Sequence, residues 1–364
     1  MMSFDLSQDQ PPLVIVVGSG GVGKTTLAAA MGLVSAEEGH DTLVMTFDPS
    51  LRLKDTLGVG EAARDEAIEV ATSTPGVLHA SLLDARRTFD RLVARYAPDD
   101  AARQRILENP YYDRLASNLG GILEYMAVEK LYEVAESGRY GRVILDTPPT
   151  HQALDFLEAP RRIVDFLDSG ALDIALKPWF DGEGRLRTGE SRLGRFLGRG
   201  LEDWFDRLVG LQLLRDMSEF FRAFAPLFQG FRRRAEAVEA LLAKSGTVFV
   251  LVAGPGAARI PDTLFFARRL KEAGYRLGPV VVNRIHPEFA ASTLEGEAGS
   301  EGRGLFQWLG EGHRHGLEEL ASLLGPEQIL VPLPLAPDEP TDLPALAAFG
   351  RRFQDLCRST AKSP

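Results

Sequence analysis

Cysteine is almost absent from this chain. Cys357 is the single thiol in 364 residues, so one subunit can build neither a disulfide framework nor a tetrahedral zinc site from cysteines. A reducing, cytoplasmic setting is expected. Long apolar runs are missing too. The longest, such as Thr247–Ala253, fall far short of the roughly 20 residues that a membrane-spanning helix needs, so no integral membrane segment is expected. Positive charge is not in excess either. Lys and Arg number 41 against 51 Asp and Glu, a formal charge of −10, whereas a nucleic-acid binder needs clustered basic side chains to meet phosphate backbones. Nucleic acid is therefore not an expected partner. The opening Met1–Pro12 carries Asp5 and Asp9 and no basic cluster, so no secretory leader is expected there. Nothing repeats at a fixed period, which argues against two fused copies.

What is present is an alternation of strands and helices. Leu13–Val17 is a short β-branched run ending at Gly18, which suits a strand buried on both faces. A glycine-rich turn follows, then a helix from Lys24 to about Glu38, stopped by Gly39. Leu43–Phe47, Val77–Ala80, Arg142–Leu145, Thr247–Val252, Pro279–Val282 and Ile329–Val331 read as further strands. Leu119–Glu136 and a closing segment with Leu346, Phe349, Phe353 and Leu356 on one face read as helices. The pattern predicts an α/β fold with a doubly wound, mostly parallel sheet. Between about His151 and Ser245 no strand pattern occurs. The expectation is a P-loop nucleotide-binding domain from 1–150 and 246–364, interrupted by a helical insertion at 151–245. Within that insertion Gly182–Gly200 holds six glycines and five arginines and reads as a mobile loop.

Gly18-Ser19-Gly20-Gly21-Val22-Gly23-Lys24-Thr25 matches G-x-x-x-x-G-K-[ST] without a mismatch, after a strand and at the start of a helix. Each residue type has a chemical reason. Glycines let backbone N–H groups turn inward around phosphate oxygens. Lys24 adds a charge at the β- and γ-phosphates, Thr25 offers a hydroxyl to Mg²⁺, and the helix amino end favours an anion. ATP and Mg²⁺ are the cofactors implied. Asp146 ends the Arg142–Leu145 strand and suits a Mg²⁺ ligand acting through water. Asp48 ends Leu43–Phe47. It suits either the residue that orients the attacking water or an ordinary turn aspartate.

Gly18–Thr26 with its GGVGKTT core, Thr46-Phe47-Asp48-Pro49 and Asp146-Thr147-Pro148-Pro149-Thr150 together resemble the arsenical-pump ATPase (ArsA) family. That is a SIMIBI-class group of P-loop proteins which includes the guided-entry ATPase for tail-anchored membrane proteins. The resemblance implies an ATP-driven dimer, either a homodimer or a heterodimer with a paralogous ATPase. It assigns Asp48 to switch I and Asp146–Thr150 to switch II. It also makes Asn283 the adenine-reading asparagine, and Val331-Pro332-Leu333-Pro334 a loop that closes over the base. Read alone, Asn283 is an ordinary strand-end residue. Three departures stand out. Ser19 occupies the position of a lysine that in relatives crosses the dimer to the partner's phosphates. The family's arsenite-binding cysteines are missing, and so is the zinc-binding C-x-x-C pair.

In Leu201–Phe231 the residues Trp204, Leu208, Leu211, Leu214, Met217, Phe221, Phe224, Phe228 and Phe231 keep three- or four-residue steps. This stripe reads equally as buried core or as one wall of a groove for a hydrophobic protein client, and its Phe-rich surface is stiffer than a Met-rich one. Two alternatives to an ArsA-like ATPase with an ATP-driven dimer cycle remain open. Ser19 suits a weakly active regulatory subunit paired with a lysine-bearing paralogue. A surface-partitioning ATPase of the MinD or ParA type would be shorter and would lack so large an insertion. Nitrogenase-type reductases are excluded by the missing cysteines. GTPases are excluded because Asn283-Arg284-Ile285-His286 is no guanine reader.

Overall fold

The computed structural model describes residues 4–8, 11–47, 52–59, 66–109, 112, 122–148, 150–168, 228–286 and 300–360. Asp48, Pro49, Pro149, the Gly182–Gly200 segment and most of the Leu201–Phe231 stripe lie outside them. Eight strands are described: β1 Leu13–Gly18, β2 Thr42–Thr46, β3 Ile68–Glu69, β4 Leu78–Leu82, β5 Arg142–Asp146, β6 Thr247–Ala253, β7 Leu277–Ile285 and β8 Leu330–Pro334. The helices are α1 Lys24–Glu37, α2 Arg52–Leu57, α3 Ala85–Tyr96, α4 Asp100–Leu107, α5 Ile122–Glu136, α6 Thr150–Asp168, α7 Phe228–Ala243, α8 Ile260–Glu272, α9 Ser300–Leu324 and α10 Leu343–Thr360.

The chain divides into two compact units. The first comprises Met1–Asp84, Leu131–Leu154 and Ala240–Pro364 and contains the whole sheet. Strand order is β3-β4-β2-β5-β1-β6-β7-β8. Every pairing is parallel except β3 with β4. The expected doubly wound α/β architecture is therefore present. β1 lies at the centre, and all six of its residues are buried because neighbours cover both edges and helices cover both faces. Prolines at 332 and 334 are tolerated in β8, the terminal strand of the sheet, because only one of its edges needs ladder hydrogen bonds.

α1 and α10 pack together through small residues. A Cβ on Gly350 would come within 2.6 Å of the Ala30 carbonyl oxygen, so only glycine permits that approach. The opening segment is strapped to the sheet by Arg142, the first residue of β5 and fully buried. Its guanidinium donates to the carbonyls of Leu6, Gln8 and Pro11 and to Ser35 Oγ. Asp5 fastens the same segment to α10, accepting from Arg358 Nη2 at 2.8 Å and Nε at 3.0 Å.

The second unit, Ala85–Lys130 with Asp155–Glu239, has helices and no strands among its described residues. Pro98 cannot continue α3, and Asp99 then caps α4, its carboxylate accepting from the Ala102 N–H at 2.6 Å. Aromatic side chains form its core. Phe89 stacks on Tyr112 with ring centroids 5.0 Å apart, and Phe231 lies against Phe89, Tyr96 and Tyr125. Arg234 and Glu129 make an ion pair that is largely shielded from water. Phe231 is the one member of the Leu201–Phe231 stripe whose side chain is described, and it is core.

The Arg358 guanidinium, through its hydrogen bonds, is the main cause that lowers the Asp5 pKa from 3.8 to about 2. A carboxylate with a depressed folded-state pKa adds stability above its unfolded pKa and loses it as pH falls. Asp5→Asn should therefore lower the melting temperature by about 2 °C at most near neutral pH, as befits a partly exposed pair. The gap to the unaltered chain should close between about pH 4 and pH 2. Melting curves across that range check this, and a gap that persists at pH 2 would remove Asp5 from the account.

Candidate functional site

The site forms where the parallel strands end, at the carboxyl edge of the sheet. β1 stops at Gly18, whose φ is +150°, and a Cβ there would lie 2.0 Å from the Val252 carbonyl oxygen of β6. The chain then turns through Ser19, Gly20, Gly21 and Val22 to Gly23, which is left-handed at φ 93° and precedes α1. A Cβ on Gly23 would meet Asn283 Nδ2 at 2.5 Å. Both positions are therefore held to glycine by close contacts as well as by backbone angle. α1 has no side-chain N-cap, so its first-turn N–H groups face the turn.

Lys24 is 7% exposed. Its ammonium folds back across the turn and donates to the Ser19 carbonyl at 2.9 Å. Thr25 Oγ1 donates to Asp146 Oδ2 at 2.7 Å, and Thr46 Oγ1 donates to the same oxygen at 3.0 Å. Asp146 is fully buried. It closes β5 in register with Val16 of β1 and Thr46 of β2. Thr147 is stitched to β1, its N–H and Oγ1 both donating to the Val16 carbonyl, at 3.2 and 2.7 Å. The structure thus brings Lys24, Thr25 and Asp146 together as their motifs anticipate. Thr26 continues α1 beside them.

Asn283, near the end of β7, reaches the same turn. Its Nδ2 donates to the Val22 carbonyl at 2.8 Å, and its Oδ1 accepts from the Arg284 N–H at 2.9 Å. Val331-Pro332-Leu333-Pro334, expected as a loop, is instead most of strand β8. Pro332 pairs with Val282 and Leu333 with Asn283, and Leu333 is fully buried. The loop proper begins after Pro334. Arg284 was missed by sequence reasoning. Its guanidinium donates to the Gly21 carbonyl at 3.1 Å, a contact for which no local pattern gives a signal.

These groups suit a magnesium–nucleotide complex. The turn and helix amino end are shaped for phosphate oxygens, Lys24 supplies a cation, and Thr25 and Asp146 are hard oxygen donors of the kind Mg²⁺ prefers. Among the described residues no group of three or more His, Cys, Asp or Glu could hold a metal by itself. Mg²⁺, which keeps several waters and leans on substrate phosphates, does not need one.

This arrangement defines a P-loop nucleotide-binding protein. Residues 12–176 match the anion-transporting ATPase family model. The chain is 28% identical to an uncharacterized protein of Streptomyces coelicolor, over 86% of this chain and 75% of that one. It is 30% identical to a putative arsenical pump-driving ATPase of Halobacterium salinarum over 44% of this chain and 26% of that one. It is 29% identical to ATPase GET3C of Arabidopsis thaliana over 45% and 44%. The chain thus covers less than half of each of these two named ATPases. Residues 12–176, a little under half of the chain, are thus similar to the anion-transporting ATPases, and the named relatives are ATPases too. Among the described residues no helix is long and apolar enough to cross a membrane.

Gly23→Ala should weaken nucleotide binding at least about tenfold, because a left-handed alanine costs about 1–2 kcal/mol before its methyl meets Asn283. Calorimetric titration with Mg-ATP measures this. Unchanged affinity would mean that Asn283 moves aside freely.

Proposed function

We propose that the chain binds Mg-ATP in the Gly18–Thr26 turn and hydrolyses it, coupling the reaction to opening and closing of a dimer. The observation that carries this reading is the convergence of Lys24 and the Thr25–Asp146 hydrogen bond, at 2.7 Å, on one glycine turn. The ATPase names of its relatives support it. When bound, Mg²⁺ neutralises charge on the β- and γ-phosphates. The chain's own residues do the rest. The turn and Lys24 hold the triphosphate, Thr25 and Asp146 seat the ion, and Asp48 orients the attacking water. Positioning and electrostatics carry most of the rate in such phosphoryl transfer.

Lys24→Ala should abolish tight Mg-ATP binding, since the phosphates lose their cation in the cradle. Asp48→Asn should keep binding and cut turnover by about 10²–10⁴-fold. Calorimetry and a phosphate-release assay measure the two. Undiminished affinity in the lysine variant sinks the ATP reading, and unchanged turnover in the second returns Asp48 to a turn role.

Ser19 supports a second reading, in which the chain turns over slowly alone and pairs with a lysine-bearing paralogue. A serine carries no charge and is too short to cross a subunit interface. Ser19→Lys should then strengthen dimerisation in the presence of a non-hydrolysable ATP analogue, observed by sedimentation. A tight nucleotide-dependent homodimer of the unaltered chain with brisk turnover would discard this reading. The apolar Leu201–Phe231 stripe is the basis for proposing a hydrophobic client, and the buried Phe231 weighs toward core at that end.

A further inference from the structure

We infer that Arg284 and Asn283, at the end of β7, form a brace that aims the phosphate-binding N–H groups of the turn, with Arg284 as a positioning residue. The inference rests on the reading that a triphosphate occupies this turn. In a trans peptide unit the C=O and the following N–H point in opposite directions. Arg284 Nη1 holds the Gly21 carbonyl at 3.1 Å, which turns the Val22 N–H the other way. Asn283 Nδ2 holds the Val22 carbonyl at 2.8 Å, which does the same for the Gly23 N–H. Lys24 holds the Ser19 carbonyl of the same turn. Consecutive carbonyls are thus drawn toward β7, and the amides between them are left directed toward the cradle before any ligand arrives. Preorganised donors of this kind spare the reorganisation that binding would otherwise require.

The backbone of Arg284 points to the same role. Its φ of 63° makes it the one non-glycine residue with positive φ among the described residues, a conformation that L side chains avoid. Asn283 Oδ1 supports it by accepting the Arg284 N–H at 2.9 Å. Strained residues held in place by their surroundings cluster at functional sites. The angle falls where the β7–β8 register shifts between Asn283 and Ile285, an irregularity of the kind that re-aims a side chain. The left-handed residue turns the guanidinium over Gly21, and Glu339 steadies its other tip.

The test uses the full chain with Arg284→Gly and Arg284→Lys, titrated calorimetrically with Mg-ATP and with Mg-tripolyphosphate, which has phosphates but no base. Arg284→Gly should lose about three- to tenfold in affinity for both ligands, by the same factor, the value of one solvent-exposed hydrogen bond. The nucleotide-free melting temperature should hold or rise, because glycine accepts φ 63° without strain. Arg284→Lys should fall between the two. Unchanged affinity in Arg284→Gly overturns the inference. So does a loss confined to Mg-ATP, which would mark a contact to base or ribose, and so does an equal loss accompanied by a lower nucleotide-free melting temperature. If the unaltered chain binds neither ligand, the ATP reading fails and this inference falls with it.

Discussion

One carboxylate oxygen holds the site together. Asp146 Oδ2 accepts the hydroxyls of both Thr25 and Thr46, with Asp146 fully buried at the centre of the sheet. A buried charge is costly unless hydrogen bonds replace the water it has lost. The two threonines supply such bonds to one of its oxygens, and in doing so they tie the first turn of α1 and the end of β2 to the end of β5. The position of Lys24 follows, because it is the residue before Thr25 on the same helix. The next residue, Thr147, is locked to Val16 of β1. Any displacement of this segment therefore pulls on the helix that carries the phosphate cradle.

The glycine turn depends on the sheet as much as on its own composition. Gly18 clears the β6 carbonyl of Val252, and Gly23 clears the side chain of Asn283. β7 is thus a wall of the cradle, and β8 sets its register through the pairing of Leu333 with Asn283. Residues that resemblance assigns to the base are, in this fold, also the support of the phosphate turn.

The second compact unit is built differently. Its described core is aromatic and helical, with Phe231 against Phe89, Tyr96 and Tyr125, and Tyr112 stacked on Phe89. A Cβ on Gly230 would lie 2.5 Å from the Tyr96 ring. Segments from 85–130 and from 155–239 combine in it, an arrangement that strand–helix alternation does not signal, because helical periodicity shows which face is apolar and not which partner covers it.

The glycine turn with Lys24 and Thr25 at the start of a helix, and the parallel sheet, could be read from the chain alone. Their requirements are local: glycines in consecutive positions, a lysine and threonine at the start of a helix, β-branched runs that end at Gly18 and Asp146. What tertiary structure decided lies farther apart in sequence. β3 has two residues and exists only through its antiparallel pairing with β4. The Pro332 and Pro334 segment is a loop by family resemblance, yet it becomes a strand because the sheet's terminal position leaves one edge free of ladder bonds. Arg284 lies 263 residues from Gly21, and its left-handed backbone has no composition to announce it. Local preferences specify which residues can cradle a phosphate, but only the register of a folded sheet can bring a distant strand end close enough to aim them.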